Sequence, residues 1–195
     1  MAKLLYQGHA SFRLTSDDER VIYVDPYKGN GYEAPADIIL VTHQHGDHNN
    51  VKRCAKKPGC VVITNEEALS GGKHNSFDIN GIYVTAVEAA NKRHDPKQCV
   101  GYIITLDGVK VYACGDTSMT GQMEAFAELK LDYALFPGDG IFNMGLEEAA
   151  ECAILVGAKH NILIHLKPGE SVRKKTEKWN APNKIIVERG QEINL

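Results

Sequence analysis

The sequence predicts an α/β (α+β) protein with β-sheets at its centre and helices on the outside. Three observations carry that expectation: short β-rich runs broken by turn signals in the first half, alternating helical and strand-like segments in the second, and no repeat or linker anywhere in the 195 residues. At that length the chain is expected to form one domain spanning 1–195. Hydrophobic residues make up 43% and charged residues 24%, an ordinary globular balance with no biased tract that would point to disorder.

In chain order, KLLYQG, SFRLTS and RVIYVDP read as an antiparallel meander over residues 4–25, ended by Pro26. DIILV (37–41) is a continuous apolar run, as expected of a strand covered on both faces, and it runs straight into THQHGDH. A short helix (48–56), a strand at CVVIT, a helical turn near Asn65–Leu69 and a strand around GIYVTAVEA follow. GYIITLDGVKVYACGD reads as a hairpin, because apolar alternation flanks Asp107-Gly108, a pair that favours a type I′ turn. Next come a helix at MTGQMEAFAEL, a strand at DYALF, an amphipathic helix LEEAAECAILVG closed by Gly157, and a buried strand at NILIH. A last helix near 169–179 precedes a strand at KIIVE.

Composition excludes several classes. A net charge of -3 offers no basic face for generic nucleic-acid binding. The local clusters Lys52/Arg53/Lys56/Lys57 and Arg173/Lys174/Lys175/Lys178 read as solvated helix faces. No apolar run approaches the roughly 20 residues that span a bilayer, and the N-terminus lacks a signal-peptide core, so no membrane contact and a cytoplasmic location are expected. Cys54, Cys60, Cys99, Cys114 and Cys152 form an odd set without a CxxC pair, which argues against a disulfide framework or a zinc knuckle. The sequence specifies no oligomeric state.

The chemistry is concentrated at T-H-Q-H-G-D-H. His43 and His45 lie two apart just past a strand end, so an extended backbone points both imidazoles the same way. With Asp47 and His48 they make four potential ligands within residues 43–48, more than one tetrahedral zinc usually takes from so short a stretch. Two adjacent metals explain the cluster better than a solvated polar loop. Further ligands are expected at other strand ends. Asp116 follows VKVYACG, with Gly115 allowing close backbone approach to a metal; His165 follows NILI; His94 follows IYVTAVEAANKR. Taken alone, Asp116 reads equally well as a helix cap and His165 as a satisfied core histidine. The histidine cluster shifts both towards ligation.

This ordered set, H-x-H-x-D-H, a histidine, G-D-T and a final histidine after a strand, resembles the metallo-β-lactamase superfamily over essentially the whole chain. GHASF (8–12), VDP (24–26), GYIIT (101–105), CGDTS (114–118) and MGLEEAA (144–150) make it similar to the compact subgroup that includes ascorbate-6-phosphate lactonase. The resemblance implies a four-layer αββα sandwich of two mixed sheets with metals at one edge. It further implies His43, His45 and His94 on a first metal, Asp47, His48 and His165 on a second, and Asp116 bridging. Two departures stand out. Relatives present the third histidine in a Pro-Ala-His context, where this chain has Glu88-Ala89-Ala90-Asn91 and then His94; an aromatic often follows the last histidine, where this chain has Leu166.

The expected activity is hydrolysis of a small-molecule ester, lactone or phosphoester by a hydroxide held between two divalent ions, with Asp47 orienting the water and passing its proton to the leaving group. Histidine ligands suit zinc, with manganese or iron as alternatives. His9 and Asp25 are candidates for fixing ligand orientation. Gly138-Asp139-Gly140 reads as a pocket wall or a tight turn, His74 and His160 as surface or cap residues, and Cys114 as a small buried hydrophobe. Two other classes use the same ligands: a nuclease or phosphodiesterase, and a non-catalytic or redox di-metal protein. His45 favours hydrolysis, because the resemblance to the redox-active di-iron relatives would call for a carboxylate at that position.

Overall fold

A computed structural model describes all 195 residues. The meander is present as β1 (Lys3–Gly8), β2 (Ser11–Thr15) and β3 (Val21–Val24), followed by β4 (Ala36–Leu40), β5 (Lys56–Ile63) and the single turn α1 (Asn65–Ala68). Then come β6 (Ser76–Ile79), β7 (Ile82–Glu88), β8 (Val100–Leu106), β9 (Val109–Ala113) and β10 (Tyr133–Pro137). The chain ends with α2 (Leu146–Val156), β11 (His160–Ile164), α3 (Val172–Lys178), β12 (Lys184–Ile185) and β13 (Glu192–Asn194).

The strands form two mixed sheets. The first has the order β13-β1-β2-β3-β4-β5 and the second β12-β11-β10-β9-β8-β7-β6. Pairing is antiparallel from β13 to β3 and parallel from β3 to β5; in the second sheet it is parallel from β12 to β9 and antiparallel beyond. Period-two alternation divides the apolar residues of β3 and β4 between two clusters. Ile22, Val24, Ile38 and Leu40 join a core of 45 buried residues shared with the second sheet. Val21, Tyr23 and Ile39, with Val41 just past β4, join a cluster of 7 on the opposite face. Helices α2 and α3 cover the second sheet, whereas Tyr32 and Cys54, carried on loops, cover the first. One outer layer of the sandwich is therefore thin. No helix is long and apolar enough to cross a membrane.

Several elements differ from the sequence expectation. The helix expected over 48–56 shrinks to a 3₁₀ turn at Val51–Arg53, and residues from Lys56 onward pair with β4 instead. Lys56 and Lys57 therefore sit on a strand, and Lys57 Nζ pairs with Asp37 at 2.8 Å. MTGQMEAFAEL forms only a 3₁₀ segment, Met123–Leu129, whose buried Met123 and Phe126 are three apart and so share one face of a three-residue turn. The final helix starts late, at Val172, where the Ser171 side chain accepts from Lys174 N. Of KIIVE only Lys184 and Ile185 pair. The short β6 and β13 carry too few residues to show a period, and neither was expected. Where the hairpin turns, Asp107 and Gly108 both have positive φ, 50° and 79°, as a type I′ turn requires.

Candidate metal centre

The strand directions send seven loops to one edge of the sandwich. From the first sheet, the β1–β2 turn carries His9, the end of β3 carries Asp25, and the segment after β4 carries His43, His45, Asp47 and His48. From the second, the β7–β8 loop carries His94, and the ends of β9, β10 and β11 carry Asp116, Asp139 and His165. All seven expected ligands meet there. His43, His45 and His94 offer ligand atoms within 4.8 Å of one another, as do His9, Asp47, His48 and His165; His43, His48 and Asp116 form a third such group between them. Asp116 Oδ1 lies 3.4 Å from His48 Nε2 and 3.3 Å from His165 Nε2, and Oδ2 lies 3.4 Å from His94 Nε2. One carboxylate thus presents an oxygen to each group. The three extra residues before His94 are taken up in a tight reversal, in which Asn91 and His94 form a β-bridge.

The buried imidazoles are aimed from behind. Asp25 Oδ2 holds His48 Nδ1 at 2.8 Å and accepts from Thr42 Oγ1 at 2.7 Å, and Thr42 Oγ1 lies 3.0 Å from His43 Nδ1. On the other side, Asn91 Oδ1 holds His94 Nδ1 at 2.9 Å, Asn91 Nδ2 donates to Asn143 Oδ1 at 3.1 Å, and Asn143 Nδ2 donates to Asp139 Oδ2 at 2.9 Å. That oxygen lies 3.1 Å from His165 Nδ1. Two polar chains therefore run behind the site, each joining a histidine of one group to a histidine of the other. With Nδ1 facing these oxygens, the four rings turn Nε2 inward. Thr42, Asn91, Asp139 and Asn143 were not singled out as orienting residues in the sequence; the only signal was Asp139 between two glycines after a strand.

His9, Asp25 and His165 adopt positive φ of 58°, 45° and 49°, a conformation uncommon in non-glycine residues but more accessible to Asp and His. The bond from His165 N to His9 O, 2.8 Å, fastens two of these turns together. His9 Nε2 also contacts Asp47 Oδ2 at 3.1 Å. Gly115 is needed for a reason other than metal approach. A Cβ there would stand 2.7 Å from Val100 O and 3.2 Å from Thr42 Cβ, so the glycine lets the Asp116 loop close against the loop bearing His43.

The donor set fits a cation. His48 Nε2, His165 Nε2 and Asp116 Oδ1 are buried with no hydrogen-bond partner, a costly arrangement that a bound metal ion would satisfy. Burial works against charge on His165, but Asp116 and Asp139 outweigh it and lift its pKa to about 10. His48 follows the same pattern: burial opposes charge, and Asp25 with Asp116 raises the pKa. Burial, reinforced by His48, drives His43 down to about 3, and burial lowers His9 and His94. Burial would raise the Asp116 pKa, yet His48 and His165 bring it down; the His9 hydrogen bond lowers that of Asp47. This anionic field draws protons onto His48 and His165. Divalent ions would neutralise it by taking their place.

The centre opens into a cavity of about 770 Å³, with His45, Asp47, His94, Asp116 and His165 on its floor. Tyr27, Lys28, Arg93, Ile141, Phe142 and Lys167 wall it. Leu166, at the position where the resembled subgroup often carries an aromatic, is buried and borders the same cavity. Cys114 is fully buried in the main core. His160 packs on the Tyr133 ring at the start of β11, 5.0 Å between centroids.

The comparisons with known proteins agree with this geometry. The sequence profile of the beta-lactamase superfamily domain matches residues 3–165. A UPF0173 metal-dependent hydrolase of Pyrococcus furiosus is 30% identical over an alignment covering 100% of this chain and 96% of the relative. A crystal structure assigned as a metal-dependent hydrolase from Parabacteroides distasonis superposes with a TM-score of 0.77 at 29% identity, covering 95% of this chain and 92% of that one. Igni18, a metallo hydrolase from Ignicoccus hospitalis, shares the fold with a TM-score of 0.75 at 22% identity, covering 98% and 97%. The chain belongs to the β-lactamase superfamily and has the metallo-β-lactamase fold. Within that class it is a metal-dependent hydrolase of the UPF0173 family.

Proposed function

We propose that residues 1–195 act as one domain that binds two divalent cations, zinc first and manganese or iron as alternatives, and hydrolyses a small ester, lactone or phosphoester. His43, His45 and His94 would hold one ion, Asp47, His48 and His165 the other, and Asp116 both. When bound, such a pair acidifies a water between the ions and polarises the bond to be cleaved. The chain's own groups do the rest. Asp25, Thr42, Asn91 and Asp139 fix ring orientation, so the ligands need little rearrangement when an ion enters. Asp47, kept ionised by the His9 hydrogen bond, orients the water and accepts its proton for delivery to the leaving group. His9, held neutral by burial, donates to one Asp47 oxygen and leaves the other free.

The observation that carries this reading is the convergence of His48 Nε2, His165 Nε2 and Asp116 Oδ1, buried and unpartnered at 3.3–3.4 Å. The test is metal analysis of protein purified without added metal, joined to a panel of esters, lactones and phosphoesters, with Asp47→Ala as control. About two transition ions per chain are expected, with turnover falling by roughly 100-fold or more in Asp47→Ala. Turnover unchanged by that substitution, or by stripping the metal, would sink the proposal.

A further inference from the structure

The cavity has an electrostatic character that the protein as a whole lacks. The chain carries a net charge of -3, yet the cavity walls bear Lys28, Arg93 and Lys167. The acids of the floor are already committed: Asp47 contacts His9, Asp139 contacts His165, and Asp25 contacts His48, while Asp116 faces His48, His94 and His165; Glu170, which accepts from Lys167 N, pairs with Lys175 Nζ at 2.7 Å. If two divalent ions occupy the floor, their four positive charges meet those four carboxylates. The cations of the wall then remain as a surplus facing the substrate.

These cations are mounted on three separate loops and two of them rest on aromatic faces. Lys28 Nζ lies 4.9 Å from the centre of the Tyr27 ring, and the Arg93 guanidinium lies 4.9 Å from that of Phe142. Cation–π contact holds each head group in place without neutralising it, which a carboxylate partner would do. Beside them, Ile141 and Phe142 are each 52% exposed, an unusual state for adjacent large apolar residues. Their loop is held rigid because Asp139 Oδ1 accepts from Ile141 N and Phe142 N, both at 2.6 Å. Asn91 Nδ2 also donates to Phe142 O at 3.0 Å. An apolar lip on a braced loop, beside held cations, is a built recognition surface.

We infer that the cavity takes a small organic anion, whose carboxylate or phosphate meets Lys28, Arg93 and Lys167 while its apolar body lies on Ile141 and Phe142. The size suits this class, because 770 Å³ falls within the range of pockets that enclose a single small molecule. The inference rests on the two-cation reading for its charge balance, and it names the substrate class of that same site. The anion stays at the wall while the bond to be cleaved faces the floor.

The test is calorimetric titration of phenyl phosphate and 3-phenylpropionate, with neutral 3-phenylpropanol as control, into metal-loaded and metal-free protein. Wild type is compared with a triple Lys28→Gln, Arg93→Gln, Lys167→Gln variant; Lys28 and Arg93 are exposed, and thermal unfolding checks that the variant folds. At least one anion should bind wild type about tenfold tighter than the alcohol and weaken at high salt. In metal-loaded protein the triple variant should lose roughly tenfold or more of that affinity, with alcohol binding unchanged, and metal-free wild type should bind the anion more weakly than metal-loaded wild type. Which anion binds tighter tells a phosphate substrate from a carboxylate. Equal binding of anions and alcohol overturns the inference, and so does anion binding that survives the triple substitution. These titrations read binding and the substrate panel reads turnover, so failure of this inference, equal binding of anion and alcohol, is distinguishable from failure of the proposed function, absence of metal-dependent turnover.

Discussion

Asp139 stands behind the candidate centre and aims one of its rings. It reaches His165 with one oxygen and the Ile141–Asn143 backbone with the other. Asp139→Ala should therefore weaken metal affinity by about 10–100-fold, read by competition with a chromophoric chelator; unchanged affinity would remove Asp139 from the orienting set. Proton linkage gives a second expectation. In metal-free protein, His165 has its pKa raised to about 10 from an ordinary 6.5. Its contribution to stability is therefore complete below about pH 6.5 and lost as pH rises through about 10. Metal uptake at pH 8 must displace that proton, so affinity should climb with pH across this window. Calorimetry in buffers of different ionisation enthalpy measures the release, and none at pH 8 would contradict the assignment. At this scale His43, His45, Asp47 and His48 were legible because they crowd into one short stretch. Thr42, Asn91 and Asn143 were not, since short polar side chains in loops look like turn formers, and Asn91 meets Asn143 only across 52 positions of sequence.

Elements were legible in proportion to their length and patterning. LEEAAECAILVG forms the expected helix closed by Gly157, whose φ is 63°, because apolar spacing and a left-handed C-terminal residue point the same way. Residues 48–56 were misread because Lys56–Ile63 is claimed by pairing with β4, a tertiary effect that local pattern does not show. Helix α3 owes its position to packing as well. Trp179, fully buried at its end, stands 6.0 Å from the Phe136 ring of β10. Trp179→Ala should cost about 3–5 kcal/mol, seen as a lower midpoint in urea followed by circular dichroism. A loss below about 1 kcal/mol would mean that α3 is not docked through this residue. Gly115→Ala, where φ is 68° and Val100 O stands in the way, should cost more than about 1 kcal/mol in the same assay.

At the scale of the molecule, the two sheets meet at the centre. His43, His45, Asp47 and His48 follow β4 of the first sheet, while His94, Asp116 and His165 belong to loops of the second. Metal bound there would tie the sheets together. Ion present at a thousandfold its dissociation constant would add about 4 kcal/mol, so chelation should lower the melting temperature by on the order of 10 °C. The fold class was legible because strand runs and helix alternation extend along the whole chain; the thin layer over the first sheet was not, because loops carry no periodic signal. The most direct test of the account is an anomalous difference map from crystals of metal-loaded protein at the absorption edge of the ion. It should hold two peaks about 3.5–4 Å apart, one among His43, His45 and His94, the other among Asp47, His48 and His165, with Asp116 between them. A single peak, or density away from these side chains, would contradict it.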